Sequence, residues 1–204
     1  MDGIEPFSLK VFANLINSQN YDRVEFLDAH SDTATALIEN SVNIDNYDLV
    51  KTVLDDFKKN SYSICSPDAG AAKKIYKLLK KLKYAGDLII GNKHRDLATG
   101  KILGFNIDAD DLEEKDVFII DDICSKGGTF IGIAKKLKEH NAGHIHLIVT
   151  HLEQCVDKRA LKEAGIGYIW TTDSIGIPDY YITSAWHAQS EILQYKLQDL
   201  WQKI

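Results

Sequence analysis

A chain of 204 residues with 45% hydrophobic and 26% charged side chains is long enough for one substantial core and has the balance of an ordinary soluble globular protein. Its net charge of −6 exerts no overall pull toward nucleic acid or an anionic membrane, and no apolar run approaches a membrane span. The acidic start Met1-Asp2-Gly3-Ile4-Glu5 is unlike a secretory signal. The three scattered cysteines, Cys65, Cys124 and Cys155, fit neither a disulfide framework nor a metal knuckle, so cytoplasm is the expected compartment.

Residues 6–18 set Phe7, Leu9, Val11, Phe12, Leu15 and Ile16 at helical spacing behind Pro6. Residues 23–28 alternate as a strand ending in Ala29-His30-Ser31-Asp32, where Ser31 or Asp32 caps a short helix over 33–39. A second amphipathic helix over 47–58 leads to a strand at 62–65 and the turn Ser66-Pro67-Asp68-Ala69-Gly70. Residues 71–83 form a helix with Ile75, Leu78, Leu79 and Leu82 inward; its lysines, Lys73, Lys74, Lys77, Lys80, Lys81 and Lys83, read as a solvated face rather than a nucleic-acid patch. A strand at 87–91 runs into the polar segment 92–100, and 101–108 returns as a strand, making a hairpin or flap. After the strand beginning at Val117 come a helix over 130–140, a strand at 144–150, a segment at 158–164, a strand at 168–172 and a final helix from about 185 to 203. Strand and helix alternate nearly throughout, which predicts one doubly wound α/β domain over residues 1–204 with a mostly parallel sheet.

The most informative stretch is Val117-Phe118-Ile119-Ile120-Asp121-Asp122-Ile123-Cys124-Ser125-Lys126-Gly127-Gly128-Thr129. Four apolar residues, two carboxylates and a small-residue loop before a helix describe a buried parallel strand opening onto a helix N-terminus, where open α/β sheets place ligands. Backbone N–H groups at residues 125–129 would cradle a phosphate. Two acids beside an anion site make sense if the ligand is a sugar phosphate, whose vicinal hydroxyls donate to Asp121 and Asp122. The plainer alternative makes these acids strand-end caps and Gly127-Gly128 a turn. Cys124 is read as a small loop residue rather than a nucleophile, since no partner pattern accompanies it. His30, Asp68, Lys93 and Arg95 each follow a strand, so several loops are expected to meet over one crevice with the groups that phosphoryl transfer requires.

These motifs, with Pro6-Phe7-Ser8-Leu9-Lys10 upstream, Asn92-Lys93-His94-Arg95 in the middle and Thr150-His151 after the loop, resemble the ribose-phosphate diphosphokinase (PRPP synthetase) family of the type I phosphoribosyltransferase-like superfamily. The resemblance covers nearly the whole chain and looks like the carboxyl-terminal half of such enzymes, without the amino-terminal half that supplies much of their ATP site. It implies Mg²⁺-dependent transfer of diphosphate from ATP to ribose 5-phosphate, giving PRPP. It further implies Lys93 and Arg95 as catalytic groups, His30 and Asp68 as Mg²⁺ ligands, and Asp121, Asp122, Ser125, Lys126, Gly127, Gly128 and Thr129 as the sugar-phosphate site. A homo-oligomer is the family's usual form. Ser125 and Lys126 stand where the family often carries an acidic-Thr pair. The alternatives are a phosphoribosyltransferase that consumes PRPP and a nucleobase, and a non-catalytic regulatory subunit of the same fold.

Overall fold

The computed structural model describes residues 7–57, 61–96, 99, 102–175 and 191–195. By internal contacts the chain divides into two units, Met1–Asn46 and Tyr47–Ile204.

The first unit holds α1 (Ser8–Asn17), β1 (Val24–Leu27), α2 (Asp32–Leu37) and β2 (Ser41–Ile44). β1 and β2 pair in parallel, with Val24 opposite Ser41 and Leu27 opposite Ile44. Ser-Val-Asn-Ile is too short and too polar to declare itself as a strand, so β2 has no counterpart in the sequence reading. Asn43 of β2 accepts the Ala29 amide at 2.9 Å, which holds the turn after β1. His30 lies in that turn, exposed.

The second unit runs α3 (Tyr47–Asp56), β3 (Tyr62–Ser66), α4 (Ala69–Leu82), β4 (Leu88–Arg95), β5 (Ile102–Ile107), β6 (Asp116–Cys124), α5 (Gly128–Glu139), β7 (Ile145–Leu152), α6 (Lys158–Glu163), β8 (Ile166–Thr172) and β9 (Glu191–Tyr195). The sheet order is β5-β4-β3-β6-β7-β8-β9, parallel except for the β4–β5 hairpin. This is the doubly wound, mostly parallel α/β architecture that the alternation predicts.

Period two along β6 sends Val117 and Ile119 into one core with Phe130, Ile133 and Leu137 of α5, and Phe118 and Ile120 into the other with α3 and α4. Both faces are apolar because helices cover both, which is why the central strands read as continuous hydrophobic runs. On the α3/α4 face Phe118, His146 and Tyr168 stack across β6, β7 and β8, with ring centroids 4.4 and 4.9 Å apart. The Trp170 indole N–H donates to His146 Nδ1 at 3.2 Å, and burial lowers the His146 pKa to about 4, so the imidazole is neutral.

The C-terminal segment differs from the sequence reading. Residues 191–195, read as part of a helix over 185–203, form β9 and pair in parallel with β8, Tyr168 opposite Glu191 through Thr172 opposite Tyr195. The open edge of β8 offers backbone partners that local helix propensity does not outweigh. The rest of that expected helix lies outside the described residues, as do Leu97, Ala98 and Gly100 of the polar segment.

Candidate active site

The order β4-β3-β6 means the chain winds outward from β3 to β4 and β5, then returns to the other side of β3 as β6. The carboxyl ends of β3 and β6 therefore flank a topological switch point, where open α/β sheets leave a crevice.

Asp68 stands at the β3 side. Ser66 Oγ donates to the Asp68 carbonyl at 2.7 Å, and the Asp68 side chain caps α4 by accepting the Ala71 amide at 3.0 Å. β4 approaches closely because residue 91 is glycine: a Cβ there would lie 2.7 Å from the Pro67 carbonyl oxygen and 2.9 Å from that of Ser66. Two residues further, Lys93 Nζ meets Asp68 Oδ2 at 2.7 Å. Burial would raise the Asp68 pKa, but the hydrogen bonds from Lys93 and the α4 amides outweigh it and bring the carboxyl below its ordinary value. Lys93 thus sits on a strand, opposite Phe105 of β5, and not in a free loop; Arg95 ends β4 just past a bulge between His94 and Arg95.

Asp121 and Asp122 stand at the β6 side and point to opposite faces. Asp122, 4% exposed, faces α4, where Lys74 Nζ lies 3.6 Å from its Oδ2. Asp121 faces α5 and accepts the Asp122 amide at 2.9 Å. Burial, then the Asp122 charge, lifts its pKa to about 7, with Asp68 adding to the effect and Lys74 opposing it. A carboxyl so perturbed at a strand end is a candidate for contact with a ligand.

Beyond Cys124 the loop turns through Gly127 at φ +84, a left-handed conformation that disfavours side chains, with Leu161 of α6 packed against it. Gly127 is also the N-cap of α5 and has no side chain with which to cap it, so the first-turn amides keep their capacity for an anion. Ser125 and Lys126 are exposed, and Thr129 is half-buried. Cys124 is fully buried and its thiol is pushed up to about 12, which removes it as a nucleophile at neutral pH.

The second unit therefore brings Asp68, Lys93, Asp121, Asp122 and the 125–129 loop to one edge of one sheet. His30 belongs to the first unit. Within the second unit Asp68 accepts from Lys93 and from the Ala71 amide, and among the described residues no group of three or more His, Cys, Asp or Glu side chains is arranged to hold a metal. Sequence reasoning missed Lys74, which it left on the solvated face of α4, although its place one residue before inward-facing Ile75 puts it at the rim of the buried stripe. It also passed over Glu153, whose signal was the same strand-end position that marked the other sites.

Residues 38–191 match the phosphoribosyl transferase domain, and the chain belongs to that family. Its relatives include the ribose-phosphate pyrophosphokinase of Hyphomonas neptunium, 35% identical over 154 residues, or 74% of this chain and 48% of the relative. The enzyme of the same name from Rhodopirellula baltica is 29% identical over 182 residues, 86% of this chain and 56% of the relative. The resemblance seen in the motifs is thus borne out by relatives of that name, and the chain spans about half the length of the curated relatives it matches. The fold is similar to that of phosphoribosylpyrophosphate synthetase from Mycobacterium smegmatis, with a TM-score of 0.78 and 20% identity over 98% of this chain and 63% of that one.

Proposed function

We propose that the chain carries the sugar-phosphate half of a ribose-phosphate diphosphokinase site. The supporting observation is the meeting at one switch point of Lys93, held by Asp68, with Asp121 and the uncapped start of α5. In this reading residues 125–129 hold the 5-phosphate through backbone N–H groups, and Asp121 accepts hydrogen bonds from the ribose hydroxyls. Asp122 fixes the strand end through Lys74.

The anomeric hydroxyl oxygen attacks the β-phosphorus of ATP and its proton passes to solvent, the bond from that phosphorus to the α,β-bridging oxygen breaks, and AMP leaves with that oxygen. Lys93 and Arg95 stabilise negative charge on the transferring diphosphoryl group, with Lys93 acting as a cation and not as a base. Mg²⁺ would accompany the phosphates and neutralise their charge, in keeping with its preference for phosphate oxygens and water. A cytoplasmic homo-oligomer completes the reading; among the described residues no helix is long and apolar enough to cross a membrane.

The match to the phosphoribosyl transferase domain also favours a second reading, transfer from PRPP to a nucleobase. Incubation with ATP and ribose 5-phosphate separates the two. AMP release supports the diphosphokinase, pyrophosphate release from PRPP plus a nucleobase supports the transferase, and sugar-phosphate binding without turnover leaves the regulatory subunit.

A further inference from the structure

We propose that Glu153 is a positioning residue for the sugar-phosphate loop, bracing Ser125 through Cys155 from beyond the neighbouring strand; the proposal deepens the ribose-phosphate reading and rests on it. Cys124 and Leu152 are opposite one another in the β6–β7 register, and the Glu153 amide donates to the Cys124 carbonyl at 2.9 Å. The ladder therefore continues one step past the paired strands and sets the Glu153 side chain beside the first residue of the loop. The Cys155 thiol donates to Glu153 Oε2 at 3.3 Å, and Cys155 Sγ lies 3.4 Å from Ser125 Oγ, so Cys155 links the carboxylate to the loop hydroxyl. Three side chains from two loops are tied together where the backbone leaves the sheet and has yet to enter α5.

A hydroxyl has one proton to donate, and with the Cys155 thiol proton on Glu153, Ser125 gives its own to Cys155 Sγ. Phosphate is then held by the backbone amides and by Thr129 and Lys126, while Ser125 acts by fixing the amide row. A carboxylate beside an anion site also repels the anion, so bracing and repulsion predict opposite signs when it is removed.

The test uses the full 204-residue chain. Calorimetry with ribose 5-phosphate compares the parent with Glu153→Ala, Glu153→Gln, Ser125→Ala and the Ser125→Ala/Glu153→Ala pair. Bracing predicts about tenfold weaker binding for each alanine variant and no further loss in the pair, with Glu153→Gln, which keeps an acceptor, within about threefold of the parent. Hydrogen exchange of amides 125–129 without ligand should speed up in Glu153→Ala and much less in Glu153→Gln. Binding as tight or tighter in Glu153→Ala, fully additive losses, or unchanged exchange would overturn the brace. A parent that ignores ribose 5-phosphate while exchange still responds to Glu153→Ala would instead sink the sugar-phosphate reading and leave the brace standing.

Discussion

Lys93 Nζ lies 2.7 Å from Asp68 Oδ2, so the cation that β4 brings to the switch point is held by the same acid that starts α4. One side chain thereby fixes a helix and aims a charge, and its ion pair is half-buried, where screening by water is reduced.

If the proposed function holds, replacing Lys93 with alanine should lower AMP formation at least about a hundredfold while ribose 5-phosphate affinity stays near that of the parent, because in that reading the lost charge acts on the transferring group. Turnover assays beside calorimetry check this. A parent-like rate in Lys93→Ala would refute the role.

The strongest signals in the sequence came from elements whose neighbours impose nothing unusual. The run Val117-Phe118-Ile119-Ile120 is apolar on both faces, and only a strand covered on both sides needs that; Asp121 and Asp122 then mark where the cover ends. What was not legible depended on partners distant in sequence. Glu191-Ile192-Leu193-Gln194-Tyr195 becomes a strand because the β8 edge is there to receive it, and Lys93 rides a strand because residues 102–107 return beside it. That Asp121 and Asp122 face opposite sides of the sheet follows from period two. That Lys74 waits on one of those sides does not.

Asp121 titrates near 7 in the folded chain and near about 4 when unfolded, so between those values the folded state binds the extra proton and stability falls as pH rises. Asp121→Asn keeps the acceptor for the Asp122 amide and removes the charge. It should be more stable than the parent at about pH 8 by on the order of 1–3 kcal/mol, and equal to it near about pH 4. It should also bind ribose 5-phosphate more weakly. Urea melts at both pH values test the stability, and a pH-independent difference counts against the assignment.

Gly91→Ala forces a methyl group against the Pro67 and Ser66 carbonyls, and the hairpin must shift to make room. A stability loss of about 1–3 kcal/mol is expected. Diphosphate transfer should fall further than sugar-phosphate affinity, because Lys93 moves with β4 while the β6–α5 loop stays. Equal losses in both would show that the change spreads through the whole sheet.

His146 titrates near 4 when folded and near about 6.5 when unfolded, so falling pH across that interval favours the unfolded chain by up to about 3 kcal/mol. His146→Phe should narrow the stability gap between about pH 7.5 and pH 4.5, at a neutral-pH cost of about 1–3 kcal/mol for the lost Trp170–His146 hydrogen bond. Chemical denaturation at the two pH values measures both effects. An unchanged gap would place the acid sensitivity elsewhere.

Because β6 returns beside β3 after the excursion through β4 and β5, Lys93 and the acid pair reach one another only once Ile64 has found Phe118. That pairing is remote along the chain and parallel, whereas the β4–β5 hairpin is local and closes early. During renaturation, helical circular dichroism should recover ahead of ribose 5-phosphate binding, since the proposed site closes only with that remote pairing.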